Sequence, residues 1–237
     1  MKRVKEVLIL TPTPNEYRSV SQHLGTAAFK NILTEVIECG PGKINATFAL
    51  TRELLAKNGD RDQVIVVGAG TSGSLAMEMV GGDVIVSNCA VISDWRMEDG
   101  QSTKVSPYAW FDYRDPDPHQ VSRMVLECHD SLIVEFMKNI SPIDFRLGRM
   151  MTSDAFVSGK DYKLRLGQTF GCLACDMESG VFGYVAGNLL NLPWFNLRVV
   201  ADTLDDSLND YFAIEKDMTD ILGRKVVEAL KILDQII

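Results

Sequence analysis

The chain has 237 residues, 46% hydrophobic and 24% charged, with a net charge of −8 at pH 7. That length suffices for one full α/β core, and no linker marks a second domain, so a single domain over residues 1–237 is expected. The negative balance argues against a nucleic-acid footprint or an anionic membrane surface, and no apolar run approaches a membrane span.

Lys2, Arg3 and Lys5 precede an apolar run, Val7–Leu10, that is too short for a signal peptide. A cytoplasmic compartment is therefore expected, and Glu6–Leu10 reads as a first buried strand. It runs into Thr11-Pro12-Thr13-Pro14-Asn15-Glu16, where Asn15 or a neighbouring threonine can cap a helix through Leu24. Glu16 then falls in the first helical turn. There it is either a favourable charge for the helix dipole or a carboxylate at a functional rim. Ile32–Cys39 predicts a second strand, ended by Gly40-Pro41-Gly42, and the helix after it carries Ile44, Phe48 and Leu55 on one side.

Gln63–Gly68 predicts a β-branched strand leading into a loop, Gly68-Ala69-Gly70-Thr71-Ser72-Gly73-Ser74. Glycines with small hydroxyl residues let backbone N–H groups approach an oxygen-rich ligand. The loop is not a P-loop, since no Gly-Lys-Ser/Thr follows. Its Gly-x-Gly-x-x-Gly also lacks the helix opening and acidic strand end of a dinucleotide site. Val84–Ile92 predicts a strand. Residues 94–118 are irregular and aromatic-rich (Trp95, Tyr108, Trp110, Phe111, Tyr113), as a lid, an oligomer contact or plain packing would require. His119–Lys138 has helical periodicity, Phe145–Thr152 predicts a strand, Asp161–Leu166 a short helix, and Met218–Ile237 a C-terminal helix.

The stretch Cys172–Asp206 reads as strand, helix, strand, with Val181, Val185 and Leu189 spaced for one helix face. Glu178 and Asp202 follow the two strands. Each is either an N-cap or solvated loop charge, or one of a pair facing a crevice at the strands' carboxyl ends. Five cysteines (39, 89, 128, 172, 175) lie scattered in apolar segments, as buried, reduced thiols do. Cys172-x-x-Cys175 falls on a predicted strand rather than at a helix N-terminus, which argues against redox chemistry. The three histidines have no ligand spacing. Neither a metal nor any other cofactor is expected.

Taken together, the residues resemble the nucleoside phosphorylase/nucleosidase superfamily, most closely its methylthioadenosine/S-adenosylhomocysteine nucleosidase branch. The match runs through the strand leading to Glu16, Gly40-Pro41-Gly42-Lys43-Ile44-Asn45-Ala46, Gly70-Thr71-Ser72-Gly73-Ser74-Leu75 and Gly82-Asp83-Val84-Ile85-Val86-Ser87. It continues in Ser153-Asp154-Ala155-Phe156, Asp176-Met177-Glu178-Ser179 and Arg198-Val199-Val200-Ala201-Asp202. The resemblance implies an α/β three-layer sandwich, a central mixed β-sheet flanked by helices, and cleavage of a purine nucleoside's N-glycosidic bond. It implies Asp202 as the acid at purine N7 and Glu16 as the base on water. Glu178 would hold the ribose hydroxyls, Met177 would pack under the sugar, and Phe156 and Val157 would meet the base. Arg198 and Thr71 would line the floor near that water, and Ser72 and Gly73 would contact the substrate as well. Asp202 would need a raised pKa, from burial or nearby carboxylates.

Phosphorylases of the family carry an N-terminal Gly-Asp-Pro-x-Arg and an arginine before the central glycine loop. Here Thr13–Arg18 and Gly68 stand at those places, which favours water over phosphate, with Arg18 able to turn inward. A homodimer is implied rather than a hexamer. Residues 94–118 do not match the typical nucleosidase, and Ser179-Gly180 replaces its small apolar pair, so the 5′ substituent stays open.

Overall fold

The computed structural model describes residues 5–57, 63–94, 125–205 and 208–237, with the side chains of the last segment described from residue 216. Strand β1 (Lys5–Thr11) pairs in parallel with β2 (Ile32–Glu38) on one side and with β3 (Val64–Ser74) on the other. Val7, Leu8, Ile9 and Leu10 are all fully buried. A strand covered on both faces has no use for alternation, so it reads as a continuous apolar run. Helix α1 (Pro14–Leu24) and the long α6 (Leu208–Ile236) pack against each other. The loop before β2 is clasped to the end of α6: the Asp234 carboxylate accepts from the backbone N–H groups of Lys30 and Asn31, the latter at 2.6 Å.

Strand β3 is the junction of the sheet. Its first half pairs with β1, most of its length pairs in parallel with β10 (Trp194–Asp202), and its last two residues pair antiparallel with β9 (Ala174–Asp176). From β10 the sheet continues to β4 (Val84–Ser87) and β7 (Arg146–Leu147). From β9 it continues to β8 (Met150–Thr152), β5 (Cys89–Ile92) and β6 (Val125–Glu127). Parallel and antiparallel pairs mix, and helices flank the ten-stranded sheet. This is the α/β architecture expected. Among the described residues no helix is long and apolar enough to cross a membrane.

Several boundaries differ from the periodicity reading, each for a local reason. The glycine-hydroxyl stretch is not a loop after β3 but its second half, because β10 and β9 take up its backbone groups. Val84–Ile92 is two strands parted at Asn88, and Phe145–Thr152 is likewise broken at Gly148-Arg149; each piece joins a different branch of the sheet. Helix α3 begins only at Ser131 and ends at Asn139, where Asp130 caps it by accepting from Leu132 and Ile133. The residues before it, Val125–Glu127, pair with β5 as a strand, so an i+4 pattern there masked a β segment. Residues 119–124 lie outside those described, as do the aromatics of 95–118.

Helix α2 (Lys43–Ala56) buries Ala46, Ala49, Leu50 and Leu54. The side carrying Ile44, Phe48 and Leu55 is the outward one, with Ile44 83% exposed. The helix after β9 starts as α5 (Ser179–Phe182) and widens into a π-helix over Gly183–Leu189. That change of pitch slips the register, so Val181 and Val185 are buried while Leu189 is exposed.

Candidate active site

Thr13 caps α1 by accepting from the Glu16 N–H, and the Glu16 carboxylate accepts from the Thr13 N–H at 2.9 Å, a reciprocal capping box. Its other oxygen accepts from the backbone N–H of Thr71 at 2.7 Å and from the Thr71 hydroxyl at 2.9 Å. Glu16 is thus a helix cap and a buried carboxylate at once, joining the ends of β1 and β3. Burial raises its pKa, against the pull of Arg198 and of the Thr71 and Thr13 donors.

Arg198, on β10, is fully buried and held by β9 and the turn after it. Its Nε lies 2.8 Å from an Asp176 oxygen and its Nη1 lies 3.3 Å from Glu178. Asp176 also accepts from the Thr152 hydroxyl at 2.8 Å, from the Ser179 N–H and from the Ser179 hydroxyl. Its part is to fix the guanidinium. Glu178 accepts from the N–H of Gly42 at 2.8 Å, which draws the N-terminus of α2 to the site. Asp154 does the same from the other side, accepting from the Lys43 N–H at 2.9 Å. Burial pushes Glu178 up to about 8, with Asp176 and Glu16 adding to the rise and Arg198 and Gly42 opposing it. Three buried carboxylates around one guanidinium leave a surplus of negative charge, so keeping a proton on one of them is the cheaper state.

Asp202 ends β10 at a bulge: Val200 pairs with Ser72, and Asp202 with the very next residue, Gly73. The extra residue re-aims its side chain. Of the two conditions expected to raise its pKa, burial or nearby carboxylates, the first is met. Its partner, however, is Lys163 of α4 (Lys160–Phe170), whose Nζ lies 2.9 Å from both carboxylate oxygens and 2.6 Å from the Thr203 carbonyl. Lys163 is itself fully buried. An ammonium so placed favours the carboxylate form, the opposite of what neighbouring acids would do.

These groups surround a pocket of about 340 Å³, within the range of small-molecule sites. Glu16, Thr71, Ser72, Gly73, Phe156, Val157, Met177, Glu178 and Asp202 line it together with Pro12, Pro41, Asp176 and Cys175. Of the residues singled out from the sequence, only Arg198 is not at the wall; it lies behind, against Glu178. Phe156 is 45% exposed. Glu178 and Asp202 meet without forming a parallel strand-helix-strand unit, because β9 runs antiparallel to β3 and β10 parallel to it. The Cys172 and Cys175 thiols are free and buried, and burial pushes Cys175 up to about 12, which makes it a poor nucleophile.

Lys163 and Asp176 escaped the sequence reading. A signal for Lys163 was present: it stands three and seven residues before Leu166 and Phe170, the buried face of α4. A lysine in an apolar stripe is seldom buried unless paired. Nothing in the sequence marks Asp176 apart from Glu178.

An α/β sheet that gathers buried carboxylates and an aromatic around a mainly apolar pocket defines a small-molecule site. The family model of the phosphorylase superfamily matches residues 1–237, and the chain belongs to that family. Among solved structures it is similar to the 5′-methylthioadenosine/S-adenosylhomocysteine nucleosidase of Helicobacter pylori, at 19% identity over 96% of this chain and 98% of that one, with a TM-score of 0.75. It is similar too to the futalosine hydrolase of the same organism, at 20% identity over 99% of each chain, also with a TM-score of 0.75. The Streptococcus pneumoniae nucleosidase gives 20% identity, 96% and 99% coverage and a TM-score of 0.73. At such identities the likeness establishes the fold.

Proposed function

We propose that this protein hydrolyses the N-glycosidic bond of a purine nucleoside and releases the free base. The observation that carries the reading is that Glu16, Glu178 and Asp202 line one pocket with Phe156 and Met177. Departure of the base leaves an oxocarbenium-like sugar, which favours anions near the ribose, a proton donor at the leaving nitrogen and a base on the attacking water. In this reading Glu16 takes the water's proton, with Thr71 fixing its orientation and the Arg198 guanidinium close by. Glu178 accepts from the ribose hydroxyls, Met177 packs under the sugar, Phe156 stacks on the base beside Val157, and Asp202 reaches N7. Ser72 and Gly73 form the floor. The N-glycosidic electron pair passes to the base as its nitrogen is protonated, and water's oxygen bonds to the anomeric carbon.

Two features support water over phosphate. A side chain at Gly68 would run into Asn196 and Phe182, so no arginine fits where the phosphorylases keep theirs. Arg18 is exposed and turned back onto its own helix, donating to the Pro14 carbonyl at 3.1 Å and to the Asn15 side chain at 2.8 Å. The similarity to the two Helicobacter pylori enzymes makes 5′-methylthioadenosine, S-adenosylhomocysteine and futalosine the first substrates to try, with adenosine and inosine beside them. Base release should proceed at the same rate with and without phosphate. Strict dependence on phosphate, with ribose 1-phosphate as product, would make the protein a phosphorylase. Tight purine binding with no turnover over hours would make it a silent binding protein. We propose a homodimer as the working form, and light scattering showing a monomer at micromolar concentration would end that part of the reading.

A further inference from the structure

We propose that Lys163 is a positioning residue and proton source that acts through Asp202, so the acid at the leaving base is a lysine-aspartate pair rather than a lone carboxylic acid. The inference rests on the hydrolase reading above and deepens it. A carboxylate that holds no proton cannot protonate a purine. Asp202 stands against an ammonium 2.9 Å from each of its oxygens, an arrangement that favours its carboxylate form. The N–H donor placed to supply that carboxylate with a proton is Lys163.

The geometry gives that proton a route. Asp202 and Gly73 both line the pocket, and Oδ2 is the Asp202 oxygen that approaches Gly73: a β-carbon built there would sit 2.9 Å from it. The same oxygen is within hydrogen-bond distance of Lys163 Nζ. As negative charge develops on the departing purine, an N–H bond of Lys163 breaks and an O–H bond forms at Oδ2. That O–H bond then breaks as the N–H bond of the base forms, and the glycosidic electron pair stays with the base. Lys163 is left neutral and Asp202 ionised. Glu16 holds the proton taken from water, which returns through water in the pocket to Asp202 and from it to Lys163 once products leave. Atoms and charge balance without any further reactant.

The surroundings suit the exchange. Lys163 is fully buried on α4, so no bulk water competes for its hydrogens. The Thr203 carbonyl takes a further N–H and holds Nζ in line. Among the described residues, Cys175 on β9 is a titratable group close to both Lys163 and Asp202, with Asp176 also near it. Burial pushes the Cys175 thiol up to about 12, so it stays neutral beside the pair.

The experiment compares wild type and Lys163→Met on two leaving groups. One is the active purine nucleoside, which needs a proton on the base. The other is 4-nitrophenyl β-ribofuranoside, whose phenolate leaves without one. The inference expects nucleoside kcat to fall by about 10² or more, the usual scale of general acid catalysis, while nitrophenyl release stays within about threefold. Equal loss on both substrates, or none on the nucleoside, would overturn it, because a purely structural lysine does not distinguish leaving groups. Should Lys163→Met fail to fold, Asp202→Asn is compared with the Lys163→Met/Asp202→Asn double variant, in which neither charge is buried alone. Equal nucleoside rates support action through Asp202, and a further tenfold drop in the double variant overturns it. A wild-type protein that releases no base from any nucleoside would refute the hydrolase reading itself, a result that the variants cannot mimic.

Discussion

Replacing Asp202 with Asn keeps its shape and a hydrogen-bond donor but removes any way of passing on a proton. Nucleoside kcat should fall by roughly 10²–10⁴. Glu16→Gln should lower kcat with KM nearly unchanged, since its carboxylate acts on water, whereas Glu178→Gln should move both constants because ribose hydroxyls are bound before and during bond cleavage. Steady-state kinetics of the three variants, with melting curves as a folding control, check this; near-wild-type hydrolysis by Glu16→Gln would remove the role of the base. Glu178 also makes stability depend on pH. Its pKa in the fold is raised to about 8, so the folded state holds a proton that the unfolded state releases near the ordinary carboxylate value. Its contribution is fully present at low pH and is lost as pH rises through about 8. Glu16 is shifted in the same direction. Thermal melts from about pH 5 to about 8.5 should show Tm falling, and Glu178→Gln should flatten the slope. The sequence disclosed these acids through their places after apolar runs. It did not disclose which cation each would meet, because Arg198 and Lys163 come from segments distant along the chain.

At the scale of elements, the capping box of α1 links folding to the site. Thr13→Ala removes the hydroxyl that accepts from the Glu16 N–H and should lower stability by roughly 0.5–2 kcal/mol, measured by denaturant unfolding. It should also loosen the Glu16 carboxylate and reduce kcat, and an unchanged kcat would show that Thr71 alone suffices to hold it. Gly68→Ala forces a β-carbon into Asn196 and Phe182 within β3, and roughly 1–3 kcal/mol of destabilisation is expected from overpacking. Strands β1 and β10 were legible because long apolar runs have one reading. The breaks at Asn88 and Gly148-Arg149 were not, since both sides of each are equally apolar and only the choice of partner strand separates them. The start of α3 was hidden for a related reason: Val125 and Cys128 fit helical spacing as well as a short strand followed by a turn.

Over the whole molecule, the order of motifs in the sequence carried the fold, while the site depends on where the sheet brings those motifs. Gly40–Ala46 and Ser153–Phe156 lie far apart in the chain and meet through Lys43 and Asp154; no spacing rule predicts that contact. The junction strand β3 has a further consequence, for synthesis on the ribosome. Val66 emerges early, yet its partner Trp194 follows only near the end, and the loop at Lys30 waits for Asp234 in the last turn of α6. Until then the nascent chain carries an unpaired, strongly apolar β3 edge, the kind of surface that chaperones cover and that aggregates if left bare. Ribosome-stalled chains of increasing length should therefore stay protease-sensitive until α6 has cleared the exit tunnel and then become resistant in one step. Gradual protection beginning with β1–β3 would show that the first half folds without the second.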